Sequence, residues 1–141
     1  MINIEKSIVI NKPVEQVFAY VSDGSKAPSW QGGLEAVENP TTEVGSQYTE
    51  VRKFIGREMR SVLEITAFEP NALWASRVVK GPVPYDVSAK FAPQDGGTRL
   101  TLRLNGEPTG FFKMAEGMVR GQLEKSLEED LSRVKGILEG A

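Results

Sequence analysis

The sequence predicts an α+β fold, with a curved antiparallel sheet of about seven strands wrapped around one long C-terminal helix and two short helices after the first strand. Two patterns carry this reading. Phe112, Ala115, Val119, Leu123, Leu127, Leu131, Val134 and Leu138 recur in steps of three and four, which sets them along one side of a helix. Between Leu34 and Leu104 the pattern changes to alternation cut by short turns, as in consecutive antiparallel strands. The two patterns also need each other: a sheet with one apolar face must be covered, and the helix has the matching ridge.

Ile2, Ile4, Ile8 and Ile10 share one parity, so the first ten residues read as a half-buried strand. Asn11-Lys12-Pro13 ends it, and Pro13 sits where a helix begins. Val14, Val17, Phe18 and Val21 make the face of that short helix, and Ser22-Asp23-Gly24 breaks it. A second short helix runs from Ser25 to Trp30 and stops at Gln31-Gly32-Gly33. Strands follow at Leu34 to Val37, Gln47 to Ile55, Arg57 to Phe68, Leu73 to Val79, Tyr85 to Phe91 and Leu100 to Leu104. Gly56 and Gln94-Asp95-Gly96-Gly97 are hairpin turns, and Gly81-Pro82-Val83-Pro84 closes a wider one.

The last element reads as one helix from Pro108 to Leu138, with Thr109 as N-cap and Gly140 past its end. Its length would be roughly 45 Å. A domain of this size has a radius of gyration of about 14 Å, so the helix must cross almost all of it. The steps of four make the ridge drift, as if following a twisted sheet. Gly117 and Gly121 fall on the side opposite the ridge, and Glu116–Arg120 and Glu129–Arg133 are spaced to pair at i,i+4.

The chain of 141 residues is expected to be a single domain, 1–141. Cysteine and histidine are both absent. That excludes disulfides, thiol nucleophiles and thiolate metal sites, and removes the usual neutral-pH acid/base and the commonest zinc ligand. No metal site, no cofactor and no catalytic motif is expected, because there is no P-loop and no dinucleotide glycine fingerprint. The net charge of −2 comes from mixed charges, without the basic stripe that nucleic-acid binding needs. No signal-peptide or membrane-spanning run is visible, so membrane insertion is not expected and a cytoplasmic protein is.

Several stretches taken together resemble the START/Bet v1-like helix-grip superfamily, and within it the polyketide cyclase/dehydrase and lipid-transport family. They are Ser7 to Phe18, Asp23 and Trp30, Gly45-Ser46, Ile65-Thr66-Ala67-Phe68-Glu69-Pro70 and Gly97-Thr98-Arg99-Leu100-Thr101-Leu102. The resemblance covers nearly the whole chain and implies a deep, mostly apolar cavity between the sheet and the long helix. From the helix, Phe112, Met118 and Val119 are the candidate apolar contacts. Gln122, Ser126 and Asp130 form an i+4 row beside the ridge; Gln122 is read as the cavity residue and the other two as a solvated flank.

On the sheet, Tyr48, Glu50, Arg52 and Phe54 share a parity opposite to that of Thr49, Val51 and Ile55. Either set can face inward, and the resemblance leans to Tyr48. Glu50 and Arg52 would then form a buried charge pair and a candidate anion or carbonyl site with Arg52 as donor. Met59, Leu63, Trp74, Tyr85 and Val87 complete the candidate set from the sheet, with Trp30 beside the mouth. Arg60 and Arg103 are weaker candidates.

The favoured expectation is a monomer or homodimer binding a small, largely apolar molecule that is lipid-, polyketide- or aromatic-like, oriented by Arg52, Tyr85 and Gln122. One alternative is a cyclase/dehydrase-like enzyme working in the same cavity. Another is a protein-interaction module with a filled core.

Overall fold

The structure, a computed structural model, describes residues 1–140 and all of their side chains but those of Phe111 and Phe112. Strand β1 (Ile2–Ile10) leads into α1 (Val14–Val21), a 3-10 turn at Gly24–Lys26 and the single-turn helix α2 (Ala27–Trp30). Six strands follow: β2 (Leu34–Glu38), β3 (Gln47–Phe54), β4 (Arg57–Glu69), β5 (Leu73–Lys80), β6 (Tyr85–Gln94) and β7 (Gly97–Gly106). Then come α3 (Phe111–Met114) and α4 (Glu116–Glu139). The seven strands form one antiparallel sheet in the order β1-β7-β6-β5-β4-β3-β2.

Turn chemistry fixes this register. Ile55-Gly56 and Asp95-Gly96 each have two successive positive φ angles, 51° and 71°, then 51° and 80°. Those are the values of two-residue hairpin turns whose twist suits the sheet. A β-branched residue is rarely held at positive φ; Ile55 packs its side chain against the core there. Gly33 at φ 80° opens β2, and a Cβ there would lie 2.5 Å from the Lys53 carbonyl oxygen. Only glycine admits that approach.

The closing helix departs from the expected single rod. Gly110, at φ 55°, caps α3, while the Thr109 hydroxyl donates to the Pro82 carbonyl at 2.9 Å. Ala115 leaves the helical region (φ −110°, ψ 30°) and separates α3 from α4. The 24 residues of α4 are about 36 Å long rather than 45. Arg120 pairs forward with Glu124 and Arg133 turns back to Asp130, so the charged ladder differs from the expected one. Gly117 and Gly121 are exposed, with no atom within 4 Å of where a Cβ would stand.

The core lies where α1 and the second half of α4 meet the β1-β7-β6 side of the sheet. Leu127, Leu131, Val134 and Leu138 of α4 share one cluster with Val17 and Phe18 of α1 and Ile4, Ile10, Leu100 and Phe91 of the sheet. Lys135 donates to the Val9 carbonyl at 2.6 Å, and the Asn11 N–H donates to Glu139 at 2.7 Å. These bonds pin the far end of α4 to the end of β1. A smaller cluster of Tyr48, Leu63 and Ile65 sits on the other side of the sheet's concave face.

Candidate functional site

Between the concave face and the first half of α4 the two layers do not close, and a cavity of about 160 Å³ remains. Ile65, Trp74, Val87, Leu102, Val119 and Leu123 are among its apolar walls, while Gly32 and Pro40, both exposed, lie at its rim. The inward phase of β3 is the Tyr48 phase. Tyr48 and Glu50 are 6% and 8% exposed, and both line the cavity with Arg52 and Phe54.

These side chains make a connected polar end. The Tyr85 hydroxyl donates to Glu50 Oε1 at 2.9 Å. Arg52 Nη2 donates to Glu50 Oε2 at 3.3 Å and to Gln31 Oε1 at 2.7 Å, and Nη1 reaches the Gly32 carbonyl at 3.5 Å. The Tyr48 and Ser76 hydroxyls share a hydrogen bond of 2.7 Å. The contact between Tyr85 and Glu50 also measures curvature. Their strands, β6 and β3, are three spacings apart in the sheet, about 14 Å along it. Side chains standing upright on a flat sheet would not meet; here they lean together across a concave surface.

Burial sets the proton affinities. It pushes the Tyr85 phenol far up, and the Glu50 carboxylate beside it pushes further, so Tyr85 is a hydrogen-bond donor and not a base. Burial likewise pushes the Tyr48 phenol up. Burial works against the charge of Arg52, but Glu50, Tyr85 and Asp130 together outweigh it and the guanidinium is held more firmly protonated than usual.

The structure brings Trp30, Tyr48, Arg52, Met59, Trp74, Tyr85, Val87 and Val119 into the lining and leaves other expected residues out. Leu63 is fully buried in the smaller cluster. Leu63 stands opposite Tyr48 in the β3–β4 register, and Tyr48 reaches across β4 to Ser76 on β5. Met118 is 55% exposed. It lies one residue from the inward Val119, a turn of about 100° around the helix. Gln122 is exposed too, beside the inward Leu123. The Phe112 side chain lies outside the described residues. Arg60 is exposed and chelates Glu38 through both guanidinium nitrogens, and Arg103 is exposed on the outer face.

The polar row on the helix runs opposite to expectation. An i+4 row rotates about 40° per step. Gln122 therefore points to solvent, Ser126 is half-buried and lines the cavity, and Asp130 is buried and lines it too. Asp130 Oδ1 accepts from the Gly32 N–H at 2.8 Å and from Arg133 at 3.2 Å, which joins α4 to the segment after α2. Sequence reasoning missed Gln31, Ser126 and Asp130 in the lining, and Ser76 as the partner of Tyr48. The rotation of the row would have found Asp130. Nothing local marks Gln31, which reads simply as a helix stop. Trp30, buried to 3% exposure, has an indole N–H with no acceptor among the described protein groups.

Asp130 yields a prediction about pH. Burial raises its pKa above the ordinary value, more than the Gly32 N–H, Arg52 and Arg133 lower it. An acid that binds its proton more tightly in the folded state adds stability at low pH, and that contribution is lost as pH rises through the folded pKa. Asp130→Asn keeps the carbonyl acceptor and removes the ionisation. It is expected to raise Tm at neutral pH, with the gain shrinking as pH falls towards the ordinary aspartate value of 3.8. Thermal melts of both proteins across that range test this; a gain that does not change with pH counts against it.

Among the described residues no group of acidic side chains is arranged to hold a metal ion, and no helix is long and apolar enough to cross a membrane. The profile of the polyketide cyclase/dehydrase and lipid transport family matches residues 1–139. A search of curated proteins finds no match. Solved structures share the fold at low identity. TTHA0849 from Thermus thermophilus is 19% identical, with coverage of 99% of both chains and a TM-score of 0.85. A START superfamily protein from Mycobacterium smegmatis is 16% identical, with coverage of 98% of this chain and 97% of that one and a TM-score of 0.81. DynU16, from the dynemicin biosynthetic locus, is 17% identical with a TM-score of 0.73; the match takes in 97% of this chain and 47% of that longer one. At these identities the likeness is one of fold.

Proposed function

The chain belongs to the polyketide cyclase/dehydrase and lipid transport family, and we propose that it is a binding protein for a small, largely apolar molecule held between the sheet and α4. The observation that carries this reading is the cavity itself, with apolar walls and hydrogen-bonding groups gathered at one end. That is the layout of a small-molecule site, where burial supplies affinity and a few polar groups set orientation. Arg52, Tyr85 and Glu50 take the orienting role. An interaction module would require a filled core, which an open cavity of about 160 Å³ does not match.

Native mass spectrometry of the purified protein, followed by solvent extraction, tests for a retained molecule. A clean mass together with no thermal shift from a panel of apolar phenols, acids and polyketide-like compounds would count heavily against the reading. A cavity-filling variant tests the place. Val87 is half-buried and faces the void, so Val87→Phe is expected to weaken binding about ten-fold or more, the equivalent of about 1.4 kcal/mol, while Tm holds or rises. Calorimetric titration and a melt read both quantities; unchanged affinity would place the ligand elsewhere.

One observation favours a second reading, an enzyme of the cyclase/dehydrase kind. Glu50 and Tyr85 form a hydrogen-bonded carboxylate–phenol pair beside the half-buried Arg52 guanidinium, inside a cavity, which is a layout for moving a proton next to a carbonyl. A Tyr85→Phe variant that keeps ligand binding but loses turnover would favour it.

A further inference from the structure

We infer that the ligand's polar end is a neutral hydrogen-bond donor, a hydroxyl or phenol, that docks on Glu50, and that the cavity discriminates against carboxylates of the same shape. The inference rests on the binding reading above and narrows it to a ligand class.

An inward arginine in an apolar cup is at first sight an anion site, but here Arg52 is already engaged. Its Nη2 holds Glu50 and Gln31, and its Nη1 faces the Gly32 carbonyl. The other charged lining residues are Glu50 and Asp130, and Asp130 has its own guanidinium in Arg133. Each lining carboxylate is thus matched by one arginine. A bound carboxylate would enter next to two others with no cation left for it, and a buried unpaired charge is costly. A bound cation would instead sit beside Arg52.

The hydrogen-bonding capacity left at Glu50 and Tyr85 points the same way, and the unpartnered indole N–H of Trp30, also a lining residue, calls for an acceptor that a hydroxyl oxygen supplies too. Glu50 accepts once at each oxygen, from Tyr85 and from Arg52, and a carboxylate has about four lone-pair positions. The Tyr85 hydroxyl donates its one hydrogen bond to Glu50 and keeps only acceptor capacity. A group that completes this end is therefore a donor, and a neutral one disturbs neither charge pair. Size narrows the ligand further. A cavity of about 160 Å³ is close to the one of about 150 Å³ that takes up benzene in a protein core. The unexpanded site therefore suits one ring with a hydroxyl.

The test is an NMR titration of the isotope-labelled protein with four para-substituted toluenes: p-xylene, p-cresol, p-toluate and 4-methylbenzylammonium. At neutral pH the cresol is un-ionised. Trp30 lines the cavity, and its indole N–H signal is a natural reporter. The expected order places p-cresol about ten-fold tighter than p-xylene, a gain of about 1.4 kcal/mol, with the toluate and the ammonium compound both weaker than p-cresol. This order is read on the unmodified protein, so no variant has to fold. Glu50→Met, which leaves no oxygen to accept at this position, is then expected to bring p-cresol level with p-xylene. If that variant does not fold, the uncharged pair Glu50→Met with Arg52→Met takes its place.

Cresol and xylene bound equally would leave the cavity reading standing and overturn the head-group assignment. Toluate or the ammonium compound binding tightest would also overturn it. An unchanged cresol preference without Glu50 would move the donor's partner elsewhere and sink the assignment. If none of the four binds, the binding reading fails along with it.

Discussion

Phe18→Ala is expected to lower the unfolding free energy by about 4 kcal/mol. Phe18 is 6% exposed on α1, and its ring meets two others edge to face, Phe68 at 5.2 Å and Phe91 at 5.0 Å. The loss therefore has two parts. One is the transfer term for a large apolar side chain together with the hole it leaves; the other is the pair of aromatic contacts, each worth about 1 kcal/mol beyond its area. Collapse of the site is limited, because α1 is short and is held at one end by the turn from β1 and at the other by the 3-10 turn into α2. Urea unfolding with a fitted m-value measures the change. Phe18→Leu separates the parts, since it refills much of the volume and loses only the ring geometry, and it should cost clearly less. A Phe18→Ala loss under about 1.5 kcal/mol would mean that the rings have repacked into the gap, and that this end of the core is softer than its contacts indicate.

Phe18 also shows which features of the fold are legible in the chain's local patterns. Its place on the α1 face follows from Val14, Val17, Phe18 and Val21, and the strand boundaries follow from turn residues such as Asp95-Gly96. Such patterns depend on neighbours in the chain, and they survive into the fold. The helix break at Ala115 is not legible in this way. Thr109 has the chemistry of an N-cap, and only the Pro82 carbonyl, brought close by the wide β5–β6 connection, draws its hydroxyl elsewhere. The site divides in the same way. Alternation puts Tyr48, Glu50 and Arg52 on one face, and a family likeness chooses the face. Alternation is silent on curvature, so it does not reveal that Tyr85 and Glu50 meet across three strands. Gln122 and Asp130 exchange roles because a row of side chains on a helix is not parallel to its axis; the later residue, not the earlier, rotates inward. Gln31 lies in a connection where no periodicity exists to read.

The second large effect is expected at the charge pair. Arg52→Ala should cost about 3 kcal/mol, the lower end of what breaking a buried ion pair costs, because the Arg52 side chain is 21% exposed while that of Glu50 is 10% exposed. The penalty comes chiefly from Glu50, which keeps the Tyr85 donor but loses its cation in a place that water reaches poorly. A further part comes from Gln31 and Gly32, whose bonds to Arg52 tie the end of α2 to β3. Removing both charges should therefore hurt less than removing one. The double variant Glu50→Gln with Arg52→Met should be less destabilised than Arg52→Met alone, giving a favourable coupling energy in a double-mutant cycle with those two single variants. The same cycle separates stability from recognition. The double variant should fold nearly as well as the unmodified protein and still admit p-xylene, with a weaker preference for p-cresol because only the neutral amide oxygen of Gln is left to accept. An Arg52→Ala cost below about 0.5 kcal/mol, the scale of an exposed pair, would show that water enters this end of the cavity freely. The pair would then no longer account for a preference between neutral and charged ligands.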